Sequence, residues 1–304
     1  MSKFRFNFAC IAMIAALQVS SSHGFLAPQG LRPSPAKILY STAEDTSSEE
    51  KEPSYVEAVP TLSSVTDPEA IRLREELFKL SEDTSKGFQA SSRQRQRARE
   101  IIADLARFNP TKEPAAPYYE NANATETSAV SLAGKWDLIY TDAPDITSLD
   151  TSWNPLATAK LGRIGQECTP PFIKNVIEWR KPDWADQVPL PFAGSKDSRI
   201  LQKVCTKATA NPNKPMLVNL EVAGIELVAP PPLTTSNGKN NLQQDIEEEG
   251  LPVGLLRNNP LELRGPLTAP FGQFEVLYLD EELRIVRTSQ NYLAVNRRAR
   301  EEWF

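Results

Sequence analysis

Ser131-Leu-Ala-Gly-Lys-Trp-Asp-Leu-Ile-Tyr-Thr-Asp142 and Phe274-Glu-Val-Leu-Tyr-Leu-Asp-Glu-Glu-Leu-Arg-Ile-Val-Arg287 set the architecture of this chain. Side chains alternate across a strand, so Gly134 opens a strand in which Trp136, Leu138 and Tyr140 share one face. In the second stretch two strands meet at a tight acidic turn, Asp280 to Glu282, with Phe274, Val276 and Tyr278 on one face of the incoming strand. Together the two stretches frame an apolar pocket in an antiparallel β-domain.

Further strands are expected at Leu161–Cys168, Phe172–Arg180, Arg199–Thr209, Met216–Val228, Leu261–Gly265, Gly272–Asp280, Leu283–Thr288 and Tyr292–Arg297. They are rich in Val, Ile, Leu and aromatics and are separated by Pro, Gly, Asn and Asp, which favours a meander over βαβ units. Closing a meander into a barrel removes its exposed edges and leaves an interior wide enough for one small apolar ligand. In Phe172–Arg180, Ile173, Asn175, Ile177 and Trp179 share a face. If that face points inward, Asn175 is a polar group in an apolar cavity and must find a partner, a ligand carbonyl or an ordered water.

The wording of the two opening stretches resembles the plastid lipid-associated proteins, or fibrillins. Their domain starts with Gly-Lys-Trp-x-Leu-x-Tyr-Thr, here Gly134 to Thr141, and ends with Tyr-Leu-Asp-x-x-Leu-Arg-Ile-x-Arg, here Tyr278 to Arg287. The resemblance runs from about Glu76 to Arg298. It implies a mainly β fold, a lipocalin-like antiparallel β-barrel preceded by an N-terminal helical hairpin. It also implies that Trp136 packs across the closed end with an arginine from a late strand, Arg284 or Arg287. Asp280 by itself reads as turn chemistry and a surface salt bridge, and the resemblance raises the alternative that Asp280, Arg284 and Arg287 form a polar cluster at the mouth, orienting a quinone or carotenoid oxygen. The family's Arg-Gly-Asn-like continuation is replaced here by Arg287-Thr-Ser-Gln-Asn291. The candidate ligand-binding residues are therefore Trp136, Tyr140, Asn175, Trp179, Tyr278, Asp280, Arg284 and Arg287.

Upstream, residues 65–110 read as the helical hairpin. Asp67-Pro68 is an N-cap with a first-turn proline, Leu73, Leu77 and Leu80 form one stripe, and Ala98, Ile101, Ile102, Leu105 and Phe108 form another, with a break around Gly87. These stripes are expected to seal one end of the barrel, with a membrane-lying helix as the alternative. In Arg93-Gln-Arg-Gln-Arg-Ala-Arg99 the guanidinia spread around the helix, which suits a solvated surface; an anionic lipid head-group site is the other reading. Residues 111–130 read as a linker, with Asn123-Ala-Thr125 fitting a glycosylation acceptor. Residues 131–304 form the barrel, interrupted at 231–252 by a polar loop that is either a surface loop or a lid.

The N-terminus reads as an address. Lys3 and Arg5 precede an apolar run from Phe6 to Val19, the layout of a signal peptide over 1–24, and residues 25–64 are Ser- and Pro-bearing, without apolar period. The junction at Phe25 resembles the bipartite signal and transit sequence of algae with secondary plastids, implying a plastid (chloroplast) destination, with an ordinary secreted protein as the alternative. Loss of Lys3 and Arg5 would move the net charge from −5 to −7. So acidic a chain lacks the cationic footprint that nucleic acid demands.

His23 is the sole histidine and falls in the signal, which excludes Ser-His-Asp and Cys-His catalysis and His-ligated metals from the mature chain. Cys168 and Cys205 remain, as buried thiols or a redox-switchable pair. No phosphate loop, metal-ligand spacing or activated nucleophile is apparent, so no catalytic residue, metal or cofactor is assigned. The expectation is a non-enzymatic plastid protein that binds or sequesters a hydrophobic small molecule (isoprenoid, carotenoid or other pigment, quinone or lipid) at thylakoids or lipid droplets. The alternatives are a structural coat of plastid membranes or globules, and an accessory partner of an isoprenoid-quinone-synthesising enzyme.

Overall fold

The computed structural model describes residues 67–120, 130–150, 152, 159–182, 199–230, 253–264 and 270–299. The expected signal peptide (1–24), transit-like segment (25–64), polar loop (231–252) and Asn123-Ala-Thr125 acceptor lie outside the described residues.

Two helices lead the fold. In α1 (Pro68–Asp83) the Asp67 carboxylate caps the first turn, accepting from the Glu69 and Ala70 N–H groups at 2.9 and 3.3 Å. In α2 (Ser92–Leu105) Ser91 and Gln94 form a reciprocal capping box. A 3-10 turn, Ala106–Phe108, ends the pair. The connector between the helices holds Ser85, Lys86 and Gly87 at positive φ. A Cβ on Gly87 would stand 2.1 Å from the Thr141 carbonyl oxygen, so only glycine lets this connector touch the next strand.

The strands follow as β1 (Gly134–Thr141), β2 (Lys160–Thr169), β3 (Phe172–Arg180), β4 (Arg199–Ala210), β5 (Leu217–Val228), β6 (Leu261–Arg264), β7 (Pro270–Leu279), β8 (Leu283–Thr288) and β9 (Leu293–Arg298). Short helices α3 (Pro144–Thr147) and α4 (Val253–Asn258) lie between them. Each strand lies within two or three residues of its expected place. All pairings between them are antiparallel, in the order β4-β3-β2-β1-β9-β8-β7-β5-β6, and β4 pairs with β5 to close an eight-stranded barrel. β6 and β7 follow one another along the same edge of β5.

Two bulges change which residues face inward. In β1 the register with β9 shifts between Leu138 and Tyr140, and in β7 the register with β8 shifts between Val276 and Tyr278. One extra residue reverses the alternation downstream of it. Trp136 and Leu138 therefore face inward while Tyr140 faces outward with Val295; Phe274 and Val276 face inward while Tyr278 faces outward with Ile285. The single-face readings of Trp136-Leu138-Tyr140 and Phe274-Val276-Tyr278 are corrected accordingly.

The same reversal gives the helices their seat. Ala70, Leu73, Leu77, Ala98, Ile101, Ile102 and Leu105 pack on Tyr140, Tyr278, Leu283, Ile285, Leu293 and Val295, the outer face of β1, β9, β8 and β7. The hairpin thus buries its apolar stripes against the barrel wall instead of sealing an end, and core packing accounts for them. Where the bulges interrupt the ladder, side chains take over: the Ser81 hydroxyl donates to the Ile139 carbonyl, and Asn109 Oδ1 accepts from the Leu279 N–H at 3.0 Å.

Part of the expected linker closes the barrel. Residues 111–120 include a 3-10 turn, Ala116–Tyr118, and bury Ala115 and Tyr118 among Trp136, Leu132, Cys168, Ile173, Val218 and Val276. Thr111 Oγ1 donates to the Leu279 carbonyl at 2.6 Å, and the Ala115 N–H donates to the Pro215 carbonyl at 3.0 Å. This segment, not the hairpin, forms the floor.

Candidate ligand-binding site

The barrel interior can be followed through the strand register. Trp136 pairs with Gln166, Gln166 with Asn175, Asn175 with Val204, Val204 with Ile225 and Ile225 with Leu263, all on the inward face. Further from the floor come Ile177, Gln202, Leu227 and Leu261, then Leu161, Trp179 and Ile200.

Burial divides this interior in two. At the floor Trp136, Ile173, Val218 and Val276 are all 0% exposed. Above it Gln166, Asn175, Ile225, Ile164, Leu161, Trp179 and Ile200 are only half-buried although they face inward. Leu261 and Leu263, on the inward face of β6, are 51% and 62% exposed. The lumen is therefore packed by its own side chains at the floor and mixed above it, where inward-facing Val204, Ile177, Gln202 and Leu227 are buried and the residues just named keep part of their surface.

A second opening lies in the wall. β1 and β2 pair only from Gly134 to Asp137, opposite Cys168 to Gly165, and then part. The cleft holds about 150 Å³ and is lined by Lys86, Phe88, Leu138, Leu161, Gly162 and Ile164 among others. Burial pushes the Lys86 ammonium pKa down.

At the floor, two guanidinia stand against one indole. The Arg284 guanidinium carbon is 4.9 Å and that of Arg298 4.2 Å from the Trp136 ring centroid. Such contacts stabilise by about 0.5–2 kcal/mol each. The indole N–H donates to the Leu132 carbonyl at 2.9 Å. Arg298 donates to the main-chain carbonyls of Glu281, Ala133 and Ser131 at 2.7–3.0 Å. Arg284, 0% exposed, donates to Cys168 Sγ at 3.3 Å and to Gln166 Oε1 at 2.6 Å. Burial pushes the Cys168 thiol pKa up, so its sulfur is a neutral acceptor.

Of the sequence-derived candidates, Trp136, Asn175, Trp179 and Arg284 face the lumen. Trp179 donates its indole N–H to Gln202 Oε1 at 3.0 Å. Arg284 is the late-strand partner of Trp136, at the floor and not the mouth. Arg287 is not: it faces outward and pairs with Glu275 at 2.5 Å.

The expected Asp280–Arg284–Arg287 cluster is not formed. Asp280 is 0% exposed and binds Arg74 of α1 at 3.0 Å and the Tyr278 hydroxyl at 2.7 Å, while its other oxygen accepts from the Glu282 and Leu283 N–H groups at 2.8 and 2.7 Å. It latches the hairpin to the β7–β8 turn. Tyr140 lies under the helices, and burial raises its phenol pKa to about 12. Cys168 faces the lumen and Cys205 the outer surface, 3.2 Å from Glu226; both are free thiols, which removes the redox-pair reading.

Sequence reading missed Gln166, Arg298 and the Arg74 latch. Gln166 alternates with Cys168 and its inward position was open to period-two reasoning; the other two depend on long-range pairing that no local pattern carries. Among the described residues no cluster of three or more His, Cys, Asp or Glu residues is arranged to hold a metal, and no helix is long and apolar enough to cross a membrane.

A closed eight-stranded antiparallel barrel with a Trp–Arg floor and a helical pair on its wall is a lipocalin-like fold. The family model PAP_fibrillin matches residues 71–296, and the chain belongs to that family. A relative, "Probable plastid-lipid-associated protein 10, chloroplastic" of Arabidopsis thaliana, is 28% identical over 120 residues. That match covers 38% of this chain and 38% of the relative, so the chain spans well under half the length of the curated relative it matches. No solved structure was found to match the chain.

Proposed function

We propose that this chain is a non-enzymatic plastid protein whose barrel lumen binds or sequesters a hydrophobic small molecule, an isoprenoid, pigment or lipid, at thylakoids or lipid droplets. The observation that carries this reading is the partial exposure of inward-facing Ile164, Trp179, Ile200 and Ile225 above a side-chain-packed floor, beside Val204, Ile177 and Leu227, which are buried. Apolar surface left open inside a folded barrel is stabilised when a ligand covers it, by about 25 cal/mol for each Å² removed from water. Membership of a family named for plastid lipid association, and a relative named as chloroplastic, support the plastid setting.

A few polar groups in such an apolar site then choose among ligands. Trp136, Asn175, Trp179 and Arg284 are the candidate residues that face the lumen. Organic extraction of protein purified from its native membranes, followed by mass spectrometry, tests the reading. A stoichiometric isoprenoid, pigment or acyl lipid is the expected result. Recovery of no such molecule, with liposome binding retained, would favour the structural coat.

A further inference from the structure

We infer that the lumen ligand carries a carboxylate head, held at the floor by a polarised chain of donors that starts at Arg284 and ends at Asn175. Arginine only donates, so Gln166 must turn its amide oxygen to Arg284, at 2.6 Å. Its NH₂ is then obliged to point at Asn175, whose Oδ1 accepts at 2.5 Å. Both amide orientations follow from the guanidinium. The Asn175 NH₂ is left over, facing the half-open lumen with no protein partner. Each link polarises the next, so the terminal NH₂ is a stronger donor than an isolated amide.

The charge itself lacks an anion. Arg284 is fully buried, no carboxylate among the described residues bonds to it, and its partners are a thiol, an amide and an indole. Its Nε has no hydrogen-bond partner, and neither has Nδ2 of Asn296, which pairs with Arg284 across β8 and β9 and is 3% exposed. Arg298, the second cation at the Trp136 ring, hydrogen-bonds to main-chain carbonyls and has the Asp280 and Glu281 carboxylates in its field, so the missing anion is that of Arg284. An unneutralised buried cation is costly, and an anionic acceptor within reach of the donor chain relieves that cost. A long apolar tail would run from Asn175 past Val204 and Ile225 toward Leu261 and Leu263. This inference rests on the lumen being the binding site.

The full chain is titrated with stearic acid, methyl stearate and octadecanol, displacing the neutral probe N-phenyl-1-naphthylamine, at about pH 8 where the acid is ionised. The expected result is an acid preference over the ester of roughly ten- to hundredfold, the range of one hydrogen bond to a charged group. Arg284→Met and Asn175→Leu should each shrink it to within about threefold. Asn175→Leu removes the terminal donor without touching the Trp136 stack, so it decides the matter where Arg284→Met fails to fold. Equal binding of acid and ester by the unaltered chain, or a preference that survives Asn175→Leu, overturns the head-group inference and leaves the lumen-carrier reading standing. Failure of the probe and all three lipids to bind overturns both.

Discussion

Asp280→Ala should unlatch the helical hairpin from the barrel without altering the lumen. The carboxylate is 0% exposed and serves four donors: Arg74, the Tyr278 hydroxyl and the N–H groups of Glu282 and Leu283. After truncation, Arg74, itself 6% exposed, keeps the Glu282 carboxylate, which is 27% exposed and better solvated. Breaking a buried ion pair from one side costs about 3–5 kcal/mol. Stranding the fully buried Tyr278 hydroxyl adds roughly 1–3 kcal/mol, and neighbouring terms do not add in full. A loss of about 4 kcal/mol is expected, a large share of a typical total of about 5–15 kcal/mol. Urea unfolding followed by tryptophan fluorescence measures it through the midpoint at constant m. Asp280→Asn, which keeps an acceptor for the turn N–H groups, should lose less. A loss below about 1 kcal/mol, with weakened ligand binding, would refute the latch and return Asp280 to a ligand-orienting role.

Other consequences follow from particular contacts. Gly87→Ala should cost more than about 2 kcal/mol, because its φ is +90° and the added Cβ meets the Thr141 carbonyl; thermal melts report it, and a neutral outcome would contradict the docked connector. Burial pushes the Glu178 pKa up, but the Arg163 N–H at 2.9 Å and the Arg180 guanidinium at 3.0 Å outweigh it and hold the carboxyl below its ordinary value. Stability from this carboxylate is present above the ordinary pKa of 4.5 and lost as pH falls through the depressed folded value, so Glu178→Gln should flatten the acid limb of a stability-versus-pH curve; an unchanged limb would contradict it. Cys205, whose thiol is pushed up to about 11 by burial and Glu226, and buried Cys168 should both resist a thiol-reactive dye near neutral pH in the folded chain and react after denaturation; rapid labelling of either in the native state would count against this packing.

Most strand positions were legible because Val, Ile and aromatic runs between Gly, Pro and Asn clusters have few other folds open to them. The Trp136–Arg284 floor was legible through the family resemblance. Orientation was harder. Tyr140 and Tyr278 continue an unbroken period-two pattern in sequence, and only the one-residue bulges before them turn both outward to receive α1 and α2. The hairpin was recognisable by its leucine and isoleucine stripes, but an amphipathic stripe says how much it buries and not against which surface. Residues 111–120 looked like a linker because their apolar contacts, Ala115 and Tyr118, are too few to show a period.

The central claim is a lumen that admits a small apolar molecule above its packed floor, and a neutral probe reports on it directly. Titrating N-phenyl-1-naphthylamine into the chain and into Ile225→Trp, which fills the half-open region with one indole, compares an open lumen with an obstructed one. The account predicts one saturable site in the unaltered chain and its loss in Ile225→Trp with an unchanged circular dichroism spectrum. Equal binding by both, or saturable binding by neither, would contradict it.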